Sequence, residues 1–317
     1  MSPVRNSWGR YLRRTRPALL ARIGLAAVLL APVWLVALAW SLAKTARWRN
    51  PALCRKFMER HRLAFQNVDP GSLRVQPVPG GVSNAGFVWR CEKLAGGGEA
   101  LYFVKVFLPM GTLWAKLLPR VGPFPSIEAV NVHQRLGADL FARGQLGGRG
   151  IAVPECVAVG PAEGIVVGEF LDGRMVHDVL ADIQRAGCFM EDDRIVLSEC
   201  GRGLGRIHEA GFSLIDAQPA NCMWVPERRR LYFLDMEYFT RRDERNWDLT
   251  FFLAFITAQL SGRLESEARE LVLQGYWSRR RPAQAPPSEN LPSLEDYRPV
   301  FQAILDLRRL TPEQMFG

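Results

Sequence analysis

The sequence predicts an α+β protein, a body of two lobes behind an N-terminal transmembrane helix. Strand-like runs come first, over residues 73–78, 86–92 and 101–108, and helical periodicity takes over from Val176. Between Arg22 and Lys44 lie 21 uncharged residues, Ile23 to Ala43. With 48% hydrophobic residues in 317, the chain has ample material for buried cores, which excludes a disordered or collagen-like protein.

The uncharged run would form a helix of about 31 Å, enough to cross a hydrocarbon core. Pro32 within it is tolerable in a membrane helix. A cleaved signal peptide is the main rival, with Arg13 and Arg14 ahead of the run and Ser41-Leu42-Ala43 as a small-x-small site. A buried core helix is the other. The run is longer than a usual signal segment, which favours a retained anchor.

The net charge of +9 is unevenly spread. Residues 1–62 carry thirteen Lys and Arg against the single acid Glu59, a balance of +12, so the remainder is −3. The body is therefore not basic, and no nucleic acid is expected as a partner. Both basic flanks suit anionic lipid headgroups, and their near-equal charge leaves the membrane orientation open. The six cysteines show no CxxC or disulfide-module spacing and read as reduced thiols in a cytoplasmic domain.

The expected order is a basic segment (1–22), the transmembrane helix (23–43), a basic juxtamembrane helix (44–70), a strand-rich lobe (71–170) and a helical lobe (171–317). Asn67 to Gly71 is a turn signal. Gly96-Gly97-Gly98 reads as a hairpin turn, since no Lys-Ser/Thr or helix pattern follows it as a phosphate cradle requires. A helix carrying Glu128 and Val132 comes next, then strands near 153–159 and 165–170. Helices are expected over 178–186, 192–210, 247–260, 265–277 and 294–307, with a Pro-rich loop at 283–290.

Five features in one order suit phosphoryl transfer. Gly80-Gly81-Val82-Ser83-Asn84, between two strands, lets backbone N–H groups approach phosphate oxygens, although these are also ordinary turn residues. Lys105 sits among Tyr102, Phe103, Val104, Val106 and Phe107, and an ammonium in an apolar strand needs an anion unless it points outward. Glu128, 23 residues on, is the carboxylate expected to hold it against the α- and β-phosphates. Asp216 is followed five residues later by Asn221, the spacing of a loop in which a carboxylate takes a hydroxyl proton and an amide holds Mg²⁺. Asp235, 14 residues after Asn221 at the end of an apolar strand, is the second metal ligand.

Together these residues resemble the protein-kinase-like superfamily, and within it the aminoglycoside phosphotransferase and choline/ethanolamine kinase branch. GGVSNAGF resembles the nucleotide loop of that branch, YFVKVF its nucleotide-lysine strand, and Gly168 to Arg174 its adenine hinge, which assigns Glu169 and Phe170 to nucleotide binding. LDMEYF, with Asp248 in NWDL, resembles the metal-aspartate segment and the later Asp that braces the catalytic loop. The match runs from about residue 73 to 255. LGRIHEAGF with the Asp216 loop and LYFLD also resembles lipopolysaccharide core sugar kinases, including Kdo kinase.

The resemblance implies a two-lobed kinase-like fold that uses ATP and Mg²⁺. Gly80, Gly81, Ser83, Asn84, Lys105, Glu169 and Phe170 would hold nucleotide. Asp216, Lys105 and Glu128 would be catalytic, and Asn221 and Asp235 would hold metal. The acceptor would be a hydroxyl on a small molecule, an amino alcohol or an envelope sugar, and the protein would be single-pass with its catalytic domain in the cytoplasm. The chain departs from the family at Leu214, where His is usual, and at Ile215, where Gly or Arg is common; this motivates a second reading as a membrane-tethered pseudokinase. Gln218 stands where protein kinases carry a loop lysine. The four histidines show no paired metal spacing, His208 reads as structural, and no Gly-x-Ser-x-Gly elbow supports a hydrolase.

Overall fold

The computed structural model describes residues 17–78, 84–109, 111, 112, 116 and 125–278, with side chains from Pro32 onward. It divides into two compact units. One holds Leu25–Gln145 and Val153–Asp172, the other Leu146–Ala152 and Gly173 onward. The Pro-rich loop at 283–290 and the helix expected at 294–307 lie outside the described residues.

The first unit is built on a five-stranded antiparallel sheet of β1 (Arg74–Val78), β2 (Asn84–Glu92), β3 (Glu99–Phe107), β4 (Cys156–Gly160) and β5 (Ile165–Glu169), in the order β1-β2-β3-β5-β4. β2 and β3 pair with Glu92 opposite Glu99, and Gly96, Gly97 and Gly98 turn the chain between them with φ of 79°, 68° and 82°. Three successive left-handed residues are strained for anything but glycine.

β3 lies at the centre, so both its faces need cover. Helix α1 (Pro17–Trp48) runs into α2 (Pro51–Arg60), which Asn50 caps by accepting from the Ala52 N–H at 3.0 Å. Residues 44–70, read from the sequence as a juxtamembrane helix, bury Trp48, Cys54, Phe57, Met58 and Phe65 in one core with Phe87, Trp89, Val104, Val106 and Val167. Each large apolar side chain removed from water contributes about 1.5–3 kcal/mol. Alternation along β3 sends Lys105 and Phe107 to the opposite face. Helix α3 (Val132–Gly147) covers it, packing Leu136 against Phe107 and Val166.

A helix thus occupies the stretch expected to span a membrane, but among the described residues no helix is long and apolar enough to cross one. The part of α1 with described side chains begins at Pro32 and meets its first cation at Lys44. Lys44 is tied to the sheet, donating from Nζ to the Phe107 carbonyl at 2.7 Å.

The second unit contains β6 (Arg174–Met175), α4 (Val176–Ala186), α5 (Glu191–Glu209), β7 (Cys222–Val225), β8 (Arg230–Phe233), α6 (Arg245–Gln259) and α7 (Gly262–Trp277). Helix α6 is buried on every side from Asp248 to Thr257, which makes it the core of the unit. Helices α5 and α7 approach closely because Gly201 and Gly275 lack side chains. A Cβ on Gly201 would lie 1.9 Å from the Val272 carbonyl, and one on Gly275 2.0 Å from that of Ser198. All six cysteines are free thiols, and burial pushes the Cys200 thiol well above its ordinary range.

Candidate active site

The lysine of the first unit has an acidic partner that sequence reading did not single out. Lys105 Nζ lies 3.4 Å from Asp139 Oδ1, with the lysine side chain 7% exposed and the aspartate fully buried. Arg143, one turn along α3 from Asp139, donates from Nε to Asp139 Oδ2 at 2.7 Å and from Nη1 to the Pro154 carbonyl at 2.7 Å. Lys105 Nζ also sits 4.4 Å from the centroid of the Phe107 ring. A separation of 3.4 Å is long for a charge-assisted bond, whereas Arg143 is held tightly. Lys105 is thus a buried cation beside a carboxylate that Arg143 also engages, and little water reaches the group to screen its charge.

Glu128 was expected on a helix; it lies instead on an exposed bend before α3 begins at Val132, where the chain has not yet entered helical hydrogen bonding. Lys105 points to the α3 face, and Asp139 is an acid that the interior of α3 presents there. The Asp139/Arg143 spacing of four residues was the available signal, an i,i+4 ion pair that an acid facing a sheet needs.

In the second unit, Asp216 sits on the loop between α5 and β7, and each of its carboxylate oxygens accepts from a side-chain amide. Gln218 Nε2 donates to Oδ1 at 2.5 Å, and Asn221 Nδ2 donates to Oδ2 at 3.0 Å and to the Asp216 carbonyl at 2.9 Å. The five-residue spacing works because Pro219–Asn221 forms a 3₁₀ turn that brings the Asn221 side chain back over Asp216.

The residues ahead of Asp216 are pinned from α6. Asp248 accepts the Leu214 N–H on Oδ2 at 2.6 Å and the Ile215 N–H on Oδ1 at 2.8 Å, and Trp247 Nε1 donates to the Ile215 carbonyl at 2.8 Å. Ile215 is held at φ 67°, a conformation that costs a β-branched residue roughly 1–3 kcal/mol. His208 Nε2 lies 3.1 Å from Asp248 Oδ2, and His208 Nδ1 lies 2.7 Å from the Tyr276 hydroxyl on α7. The loop is therefore braced with Leu214 in place.

Asp235 follows β8. Cys222, directly after Asn221, pairs with Phe233, and the Leu234 N–H donates to the Asn221 carbonyl at 2.9 Å, which sets Asp235 one residue from a bond to Asn221. The Asn221 amide oxygen and the Asp235 carboxylate are both hard oxygen donors on this stretch of chain. Two such donors, with phosphate oxygens and water completing the shell, fit Mg²⁺. Among the described residues no group of three or more His, Cys, Asp and Glu could hold a metal by itself.

The other residues expected to hold nucleotide divide. Gly80, Gly81 and Ser83 lie outside the described residues, and Asn84 opens β2, opposite Phe107. Glu169 ends β5, where its N–H donates to the Glu155 carbonyl at 2.9 Å and its Oε2 accepts the Glu155 N–H at 3.2 Å; Phe170 follows, half-buried. Gly173, also in that motif, has a packing reason, since a Cβ there would lie 2.5 Å from the Trp224 carbonyl.

No family model matches this chain, and no curated protein matches it. Among solved structures it is similar to one described as WaaP in complex with acyl carrier protein, with 19% identity and a TM-score of 0.41, covering 78% of this chain and 91% of that one. A likeness at this level adds nothing to the geometry above.

Proposed function

We propose that this chain is an ATP- and Mg²⁺-dependent phosphotransferase of kinase-like type, attached to a membrane through α1 and acting on a hydroxyl of a small molecule, an amino alcohol or an envelope sugar. One observation carries this reading. Asp216 is held between the Gln218 and Asn221 amides on a loop that Asp248 pins, and Leu234, the neighbour of Asp235 in the chain, is bonded to Asn221.

Each residue then has a role. Asp216 takes the proton of the acceptor hydroxyl as its oxygen bonds to the γ-phosphorus and the bond to the β–γ bridging oxygen breaks, releasing ADP. Lys105 neutralises phosphate charge, and its ion pair with Asp139 keeps it aligned. Asn221 and Asp235 would hold Mg²⁺, which neutralises charge on the phosphates when bound. The supply of ATP places the catalytic units on the cytoplasmic side.

The test uses the full chain in detergent with ATP, Mg²⁺ and a panel of amino alcohols, sugars and envelope glycans, beside Asp216→Asn. Transfer to one acceptor class, reduced about 10²–10⁴-fold by Asp216→Asn, supports the reading. Stabilisation by nucleotide without transfer across the panel would make it a nucleotide-binding protein instead. A reporter at Gly317 that is active outside the cytoplasm would sink the assigned side.

A further inference from the structure

We propose that the elbow between α1 and α2 is a docking site for the headgroups of an anionic lipid bilayer, centred on Arg47, Lys56 and Arg60 over a floor of Trp48 and Leu53. This rests on the membrane attachment read for α1 above and says how the first unit is held against the surface.

The site is a concave surface lined by those five residues with Glu59 and Glu163. Its floor is rigid because Trp48 is buried, with its ring 5.8 Å from Phe57 and 6.4 Å from Trp89. Arg60 is aimed rather than free: Nη2 bonds Glu163 Oε1 at 2.6 Å, while the arginine remains 59% exposed. The guanidinium and the charge of Arg47 hold the Glu163 carboxyl below its ordinary range, against the effect of its burial. Arg47 and Lys56 are exposed.

The occupant follows from what adjoins the site. On α1, Val33, Leu35, Val36, Trp40 and Leu42 are all 50–67% exposed and span about half of the helix circumference, opposite a covered stripe through Trp34, Ala37, Leu38 and the buried Ser41. An exposed apolar face of that width needs an apolar medium. Trp40 favours the boundary between hydrocarbon and headgroups. At about 1.5 Å per residue, Arg47 lies about 10 Å beyond it along the helix, at headgroup depth. Between residues 44 and 62 there are seven cations and one acid, Glu59, so the surface that follows the apolar stretch complements anionic phosphates. Nucleic acid or an acidic protein would explain the cations but not the exposed apolar helix beside them.

The full chain is reconstituted into nanodiscs of mixed phosphatidylcholine and phosphatidylglycerol, and the lipids retained on gentle release are counted by native mass spectrometry. Wild type should retain phosphatidylglycerol preferentially. The variant Arg47→Gln/Lys56→Gln/Arg60→Gln should lose that preference by tenfold or more, given about 1 kcal/mol per cation near an anionic surface. Arg47→Gln/Lys56→Gln, which keeps the Arg60–Glu163 pair and guards against a folding defect, should show an intermediate loss. Equal retention of both lipids by wild type, or an unchanged preference in both variants, overturns the docking site while leaving the anchor intact. Displacement of phosphatidylglycerol by excess inorganic phosphate would overturn it in favour of a soluble phosphate ligand. Failure of the chain to enter nanodiscs of any composition would overturn the membrane reading itself, and this site with it.

Discussion

His208 Nε2 and Asp248 Oδ2 stand 3.1 Å apart with both side chains fully buried, 40 residues apart in sequence. Through this contact α7 reaches the Asp216 loop, because Tyr276 holds the other imidazole nitrogen and Asp248 holds the N–H groups of Leu214 and Ile215. Asp248→Ala should destabilise the protein by about 3–5 kcal/mol, since it strands buried donors and removes a buried charge that they satisfy. Tyr276→Phe removes one hydrogen bond and should cost about 1–2 kcal/mol. Urea unfolding of both variants checks the ordering, and equal losses would contradict the relay.

Asp139 and Lys105 should separate stability from catalysis. Asp139→Leu leaves Lys105 and Arg143 without their shared carboxylate and should cost about 3–5 kcal/mol. Lys105→Met should be tolerated far better in unfolding measurements, because Asp139 keeps Arg143, yet it should abolish phosphoryl transfer. A Lys105→Met protein with undiminished transfer would remove the lysine from the mechanism.

Two residues share left-handed backbone and should respond oppositely to glycine. Arg229, at φ 46° in the exposed turn between β7 and β8, loses only strain in Arg229→Gly, which should raise stability by roughly 0.5–1 kcal/mol. Ile215 is also left-handed but is 4% exposed, so Ile215→Gly forfeits about 1.5–3 kcal/mol of burial for a similar relief. Thermal melts should move up for the first and down for the second.

Lys44 makes stability depend on pH. Burial and the nearby Arg135 lower its pKa from 10.5 to about 8 in the folded protein. Between about pH 8 and 10.5 the unfolded chain therefore binds more protons at this residue than the folded one, and folding becomes more favourable as pH rises. Below pH 8 the full cost of burying the ammonium applies. The stability difference between wild type and Lys44→Met should shift in favour of wild type as pH rises across that window, and a difference that stays flat would contradict the shift.

Sequence by itself determined the local features. The strands before residue 170 and the helices after 176 follow from side-chain periodicity, and the Gly96–Gly98 turn follows from a backbone that only glycine adopts easily. The five-residue spacing of Asp216 and Asn221 was legible too, whereas the hydrogen bond between their side chains appears only in the folded loop. Even the uneven charge, +12 before residue 63, is a property of the chain as written.

Only the tertiary structure decided which distant groups meet. It gave Lys105 the Asp139 carboxylate, which depends on the face α3 turns to β3, and it put Tyr276, 68 residues from His208, behind the Asp216 loop. It also drew Trp48 and Phe57 into the core of the sheet, where the sequence showed only a basic helix. Periodicity records which side of an element is apolar, whereas the partner that covers that side is set by packing between elements far apart in the chain.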